Sequence, residues 1–307
     1  PALRPALDAV QVPDVRQGLS DDVLEREASG LRTVEAREAQ AATDESAKRY
    51  VQAAECLEEA LQLRKKIAGD AAAGTQTAIE RACLLFNVWG ASCLAAGQTT
   101  AALELLKRAE ALTDAETAPR NFRRRSGLRS TTFCSLCCYF RARGKLNAAL
   151  QFAEKALRLD LQHKDALDPA RLRLNYAAIL GATARHAEAA EALEEAVGLL
   201  REEERRLSEA PAAAASAHSG GQLTQEQISA SLVVAYHNLW VEHSRLANWT
   251  GATENLLRAA NIAKQRLGDG HPLTAKMEAS LVSNEERAPG REVETPRVQA
   301  WPRPASH

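Results

Sequence analysis

Aromatic side chains are scarce in this sequence, at 4% of residues, and there is a single methionine. Hydrophobic residues still reach 45%, but much of that is alanine, which favours helix and lets helices pack back to back. Neither sign of charge dominates: 39 Lys and Arg face 40 Asp and Glu, for a formal net charge of −1. That balance removes any global attraction to nucleic acid or to a membrane surface. Long apolar runs are missing as well. None approaches the roughly 20 residues that cross a bilayer, and the opening PALRPALDAVQVPDV lacks the unbroken apolar core of a signal peptide. The sequence starts on Pro1 without an initiator Met, which reads as a processed or incomplete start. The expectation is a cytoplasmic protein.

Chemistry-bearing motifs are equally thin. Gly268-Asp269-Gly270 follows a helical pattern and lacks the lysine-serine pair of a phosphate loop, so it reads as a turn. His237 and His243 are six residues apart, the wrong spacing for neighbouring ligands on one helix, and read as surface or groove residues. No G-x-S-x-G occurs, and carboxylates such as Glu202, Glu203 and Glu204 lie in helical charge runs that read as solvated faces. Asn248-Trp249-Thr250 matches a glycosylation sequon but falls in a tight turn of an apparently cytosolic chain. Six cysteines (Cys56, Cys83, Cys93, Cys134, Cys137, Cys138) fall inside helical patterns and read as buried, reduced thiols. Cys134 and Cys137 form a C-x-x-C, but no second pair or nearby His completes a zinc site. No catalytic residue, cofactor or metal is expected, and no enzyme.

What the chain does contain is repetition. Between Val233 and Thr274, apolar residues at three- and four-residue steps mark two amphipathic helices around a polar turn near Ala247, Asn248 and Thr250. Leu239, Ala252, Leu256 and Ala259 lie on their facing stripes. The template fits four more places. Tyr50, Ala53, Leu57, Ala60 and Leu61 mark the first unit, whose polar first half, EAREAQAATDES, reads as a weak or capping helix. Trp89, Gly90, Gly97, Ala102, Leu106 and Ala109 mark the second; Leu136, Phe140, Gly144, Ala149, Ala153 and Ala156 the third. The fourth has Tyr176, Ala177, Leu180, Ala189, Leu193 and Ala196. The expected fold is all-α: an α-solenoid of about five helix-turn-helix repeats, near 34–68, 83–114, 130–161, 170–203 and 233–266, within a body at 21–286. Ser20-Asp21-Asp22 offers a cap for the first helix. A proline-bearing arm at 1–20, a low-complexity loop at 211–222, a capping helix at 273–286 and a proline-rich tail at 288–307 complete the expectation. Arm and tail read as disordered or partner-bound, with Trp301 as a possible anchor.

The second unit resembles the W-x2-L-G-x2-Y…A-x3-F pattern of tetratricopeptide repeats, with Cys93 in place of the usual aromatic. Equivalent positions Val34, Cys83, Ser130, Ala170 and Val233 are spaced 49, 47, 40 and 63 residues apart, against the usual ~34. Longer helices or inserted loops must fill the difference. The fifth unit is similar to the repeats of kinesin light chains, through Asn238-Leu239 and the trailing Leu267-Gly268-Asp269-Gly270-His271-Pro272-Leu273-Thr274. The alanine- and arginine-rich style looks similar to tetratricopeptide proteins of protist cilia and flagella. These resemblances imply a non-enzymatic protein-interaction scaffold, either a structural component of a ciliary or flagellar axoneme or a soluble transport or motor adaptor.

Candidate contact residues fall in two groups. Arg120, Arg123, Arg124, Arg125 and Arg129 form an acid-free basic segment suited to an acidic surface such as a tubulin tail, and Ser126 beside them resembles a basophilic kinase site. Arg171, Asn175, His237, Asn238, Arg245 and Trp301 are candidates in the groove and tail. The carboxylate clamp by which some tetratricopeptide proteins hold chaperone tails is not assembled: its helix positions carry Asn87 and Ala91, then Cys134 and Cys138.

Overall fold

The computed structural model describes residues 21–116, 118–120, 122–164, 166–209 and 223–286. The expected arm, the loop at 211–222, and the tail with Trp301 lie outside them. All regular structure among the described residues is helical. In order the helices are α1 (Asp21–Ser46), α2 (Tyr50–Ala68), α3 (Ala73–Ala95), α4 (Thr99–Leu112), α5 (Arg125–Ala142), α6 (Leu146–His163), α7 (Pro169–Ala182), α8 (His186–Glu209), α9 (Gln225–Arg245), α10 (Trp249–Ile262) and α11 (Pro272–Glu286). None is long and apolar enough to cross a membrane. The chain is an α-solenoid of five helix hairpins, α1/α2 to α9/α10, followed by α11. Two compact units divide it, Pro1–Ala78 and Ile79–His307.

One turn makes all five hairpins. Its central residue is left-handed each time: Lys48 (φ 58), Gly97 (φ 77), Gly144 (φ 70), Ala184 (φ 62) and Ala247 (φ 56). The next residue's amide reaches back to the carbonyl five positions earlier, as in Gln98 N to Cys93 O at 2.9 Å and Asn248 N to His243 O at 2.9 Å. This pattern ties off the free carbonyls of a helix end and suits glycine, which two of the five turns use. Val34, Cys83, Ser130, Ala170 and Val233 each stand fourteen residues before that central residue, and each is buried. The five repeats are therefore in strict register, and their irregular spacing arises from second helices of 14 to 24 residues and from the segments that follow them.

Small side chains on those second helices close the hairpins. Ala53, Ala102, Ala149, Ala189 and Ala252 are equivalent and buried, as are Ala60, Ala109, Ala156, Ala196 and Ala259. Between them sit Leu57, Leu106, Ala153, Leu193 and Leu256. Opposite, a Cβ added to Gly90 would meet Leu106 Cδ2 at 3.1 Å and the Ala102 carbonyl at 3.4 Å, so α3 and α4 touch almost backbone to backbone. The same place is Ala41, Cys137 and Ala177 in three other hairpins but Trp240 in the fifth.

In the first unit α1 packs on α2 as a full 26-residue helix. The polar stretch read as a weak helix holds because Val34 and Ala41 supply its buried stripe. Arg64 on α2 binds Glu38 on α1 through two hydrogen bonds of 2.7 and 2.8 Å. Asp44, buried at the turn, accepts from Gln40 and Arg49, which hold its carboxyl below the usual range. The helix ends at Gly69, whose carbonyl accepts from Thr75 Oγ1 at 2.8 Å. Gly268 and Thr274 in the second unit repeat this contact at 2.7 Å. The linker that trails the fifth repeat thus has a twin after the first, in Gly69-Asp70 and Thr75. Ahead of Gly268, residues Ala263–Leu267 form a π-helical turn.

In the second unit, polar contacts key the junctions between successive hairpins. Asn87 Nδ2 on α3 donates to Thr132 Oγ1 on α5 at 3.0 Å. Asn175 Nδ2 on α7 donates to Cys134 Sγ on α5 at 3.2 Å. Glu242 on α9 meets His186 on α8 at 2.6 Å.

Candidate interaction face

The first helix of each hairpin turns one face away from its partner. On α5 that face carries Thr131, Cys134, Cys138 and Arg141; on α7 it carries Arg171, Leu174, Ala178 and Gly181; on α3 it carries Leu84, Asn87, Ala91 and Leu94. These positions recur at three- and four-residue steps, so each set lines one side of its helix. None is a carboxylate. Cys138, Arg141 and Arg171 are partly exposed, above a floor of buried Cys134, Leu174 and Asn175.

Arg171 is set by the start of α7. Asp168 caps that helix, accepting from Arg171 N at 2.9 Å, and Pro169 occupies the first turn. The Asp168 carboxylate also comes within 3.4 Å of Arg171 Nε, while the Arg171 side chain stays 28% exposed. Arg141, in the last turn of α5, has no ion pair among the described residues. Both guanidinium groups act on the Cys138 thiol. Of the buried side-chain polar atoms without a hydrogen-bond partner among the described residues, Arg141 Nε stands on α5, and Arg171 Nε and Asn175 Oδ1 stand on α7.

The thiols cannot neutralise those cations. Cys134 is raised well above its ordinary value, first by its hydrogen bond to Cys138 and then by burial. Cys138 receives that bond, but its own bond to Cys137 and burial push it up to about 11. At neutral pH both remain S–H groups, which donate only weakly. The face is therefore polar, cationic and incompletely satisfied.

The sequence candidates distribute unevenly. Arg171 and Asn175 stand one turn apart on α7, and Arg141, which the sequence reading did not single out, stands in the last turn of α5. Counting from the turn glycine finds it, because Gly144 fixes the register of the helix before it. In the basic segment, Arg124 pairs with Glu80 at 3.2 Å and Arg129 with Asp114 at 3.2 Å. Arg129 also lies 5.1 Å over the Phe133 ring. Arg120 and Arg123 are exposed, and Arg125 opens α5 with the half-buried Ser126 beside it. His237 and Asn238, expected at a surface or groove, are buried in α9, whereas Arg245 is exposed at its end. His237 packs edge-on against Trp240 at 5.2 Å. Burial, aided by the Lys276 charge, pushes its imidazole down to about 4.

The second buried site, Glu242 with His186, has no sequence signal because its partners are 56 residues apart. Glu242 is 0% exposed, and its Oε1 lacks a partner among the described residues. Burial raises its carboxyl above the ordinary range, opposed by the hydrogen bond from His186. Gly181 makes room for it, since a Cβ there would collide with Glu242 Oε1.

No protein-family model and no curated protein matches the sequence. Among solved structures, BtubC (BKLC) from P. vanneervenii aligns at TM-score 0.47 and 17% identity over 82% of this chain and 95% of that one. A kinesin light chain of nearly identical TPR-like repeats from Podosopora anserina aligns at TM-score 0.44 and 18% identity, over 76% of this chain and 97% of that one. Pseudomonas aeruginosa pilF aligns at TM-score 0.35 and 14% identity, over 82% and 99%. The tetratricopeptide-like fold rests on the five hairpins themselves, with their common turn, register and alanine stripe.

Proposed function

We propose that the chain is a non-enzymatic protein-interaction scaffold, built into a cytoskeletal assembly such as a ciliary or flagellar axoneme. The observation that carries the scaffold reading is the partly exposed face of the first helices α3, α5 and α7, which bears Arg141 and Arg171 and no carboxylate. A register kept through five hairpins makes such a face continuous from one helix to the next within the second unit. Inserts of different length between hairpins, with an arm and a proline-rich tail, suit a fixed component that contacts several neighbours. Arg120 and Arg123 remain available for an acidic surface such as a tubulin tail, and phosphate on Ser126 would oppose that contact. Proximity labelling and salt extraction of the tagged protein in ciliated cells test this. Axonemal neighbours and resistance to detergent and moderate salt are expected; a freely soluble pool with other neighbours overturns the assembly reading.

A transport or motor adaptor is the second reading, favoured by the exposure of Arg171 beside Asn175 at the open face. In that case short-peptide binding tracks Arg171 and survives removal of residues 1–20 and 288–307.

A further inference from the structure

We infer that the end of the array formed by α10 and α11 is a dimerisation face, which meets the same face of a second copy of this chain across a two-fold axis.

That end is half a repeat short. Fourteen residues past Gly69 stands Cys83, 0% exposed against α4. Fourteen past Gly268, after the same glycine–threonine contact, stands Val282, which is 57% exposed. No second helix covers it among the described residues. The hairpin before it is bare as well. Two residues past the turn, Thr99, Leu146 and His186 are half-buried, and His186 shows what covers that place, since it reaches Glu242 on the first helix of the next hairpin. In the fifth hairpin the equivalent residue is Trp249, 63% exposed. One turn further on, Leu103, Leu150 and Ala190 are covered, whereas Thr253 is exposed. The sequence that follows does not encode the missing part. Pro289 falls where the first helix would run on and Pro296 where the left-handed turn residue would stand, and proline suits neither place. A repeat array ordinarily ends on polar residues, as α1 does with Arg32, Thr33, Arg37 and Gln40. An indole and an isopropyl group left bare at such an end mark a contact.

The charges beside these two anchors select a second copy. Arg245 is exposed four residues before Trp249, and Glu278 is exposed one turn before Val282 on the same side of α11. Each copy thus offers a cation beside Trp249 and an anion beside Val282. A two-fold contact sets Trp249 and Arg245 of each copy on Val282 and Glu278 of the other, so both pairs form twice and neither charge meets its like. A partner surface of a single sign would leave one of the two opposed.

Sedimentation velocity of the full chain tests this. A small interface associates weakly, so the mass is followed up to about 100 μM. A shift from one chain to two is expected. Trp249→Glu and Val282→Glu should each weaken the dimer more than about tenfold, whereas Leu161→Glu, at another exposed residue, should leave it unchanged. Arg245→Glu and Glu278→Arg should each weaken it, and the two exchanges in one chain should restore it. Far-UV melting identifies any variant that loses its fold, and removal of residues 287–307 should leave the dimer as it is. A parent chain that stays monomeric throughout overturns the inference, as does a dimer that survives both Trp249→Glu and Val282→Glu. So do charge exchanges that have no effect singly or fail to restore each other. A shortened chain that dimerises where the parent does not would mean instead that residues 287–307 occupy the face.

Discussion

The third and fourth hairpins share a turn, a register and an alanine stripe with the fifth, yet their first helices meet opposite fates. On α5 and α7, buried residues alternate with partly exposed Cys138, Arg141 and Arg171. On α9 every residue from Ser231 to Glu242 is buried. A helix buried on all sides must satisfy its polar groups internally, and α9 does so only in part. Glu242 finds His186, but His237 Nδ1 and Glu242 Oε1 find no partner among the described residues. The contrast separates two uses of one repeat. Where the first helix keeps an open side, its polar residues are available to a ligand; where that side is closed, they become questions of stability.

The largest expected effect tests what closes the fifth hairpin. At the place where α3 has Gly90 and α7 has Ala177, α9 has Trp240, buried and edge-on to His237. Trp240→Ala should cost about 3–5 kcal/mol, as deletion of a buried indole leaves a large cavity. Urea denaturation followed by helical circular dichroism reads it. A loss under about 1 kcal/mol, the range of surface changes, would break the comparison, because the fifth hairpin would then close without its distinguishing side chain.

Acid titration sharpens it next. His237 has its folded pKa depressed from 6.5 to about 4, so the unfolded chain binds its proton more readily. Its contribution is fully present above about pH 6.5 and is lost as pH falls through about 4, a swing on the order of 3 kcal/mol. Glu242 acts with the opposite sign: its raised pKa makes the ionised carboxylate a burden that grows as pH rises through the carboxylate range. His237→Gln should flatten the loss of stability between pH 6.5 and 4. Arg171→Gln, on the open face, should leave that slope alone. If both variants titrate like the parent, the buried imidazole does not govern acid sensitivity.

Two glycines extend the comparison to the junction itself. Gly181 backs onto the Glu242 carboxylate, whereas a Cβ on Gly198 meets nothing within 4 Å. Gly181→Ala should destabilise by about 1–3 kcal/mol through overpacking, and Glu242→Ala in the same chain should remove most of that penalty. Gly198→Ala should stabilise by about 0.5–1 kcal/mol, the usual gain within a helix. Thermal melts of the set decide it; an additive Gly181→Ala, Glu242→Ala pair would mean that the two do not press on each other.

The sequence carries the register because alanine and leucine at fixed steps have one purpose here, the closure of a hairpin. Ala102, Leu106 and Ala109 announce it, and Val34, Cys83, Ser130, Ala170 and Val233 prove equivalent in the fold. It does not carry burial of the other side. Periodicity marks the stripe that faces the partner helix but is silent on whether a further layer covers the back, so His237 and Asn238 look like groove residues from sequence. Arg171 and Asn175 stand out as polar residues on a readable stripe, and Arg141 follows once Gly144 is taken as an origin. Long-range pairs such as His186 with Glu242, or Arg64 with Glu38, need the packing itself.

The smallest effects ask whether the hairpins are equal where they look equal. The five turns have one geometry, but Ala184 and Ala247 adopt it against the preference of a side chain, at φ 62 and φ 56, whereas Gly97 and Gly144 do so freely. Left-handed backbone costs a residue with a Cβ roughly 1 kcal/mol, offset in part by the unfolded-state entropy that glycine brings. Ala184→Gly and Ala247→Gly should therefore each stabilise by about 0.5 kcal/mol, and Gly144→Ala should destabilise by about 1 kcal/mol. Because the strain is local, the gain should be the same in the open fourth hairpin and the closed fifth. A larger gain at Ala247 than at Ala184 would show that closure of α9 tightens its turn, and that the two regions differ in their backbone as well as in what covers them.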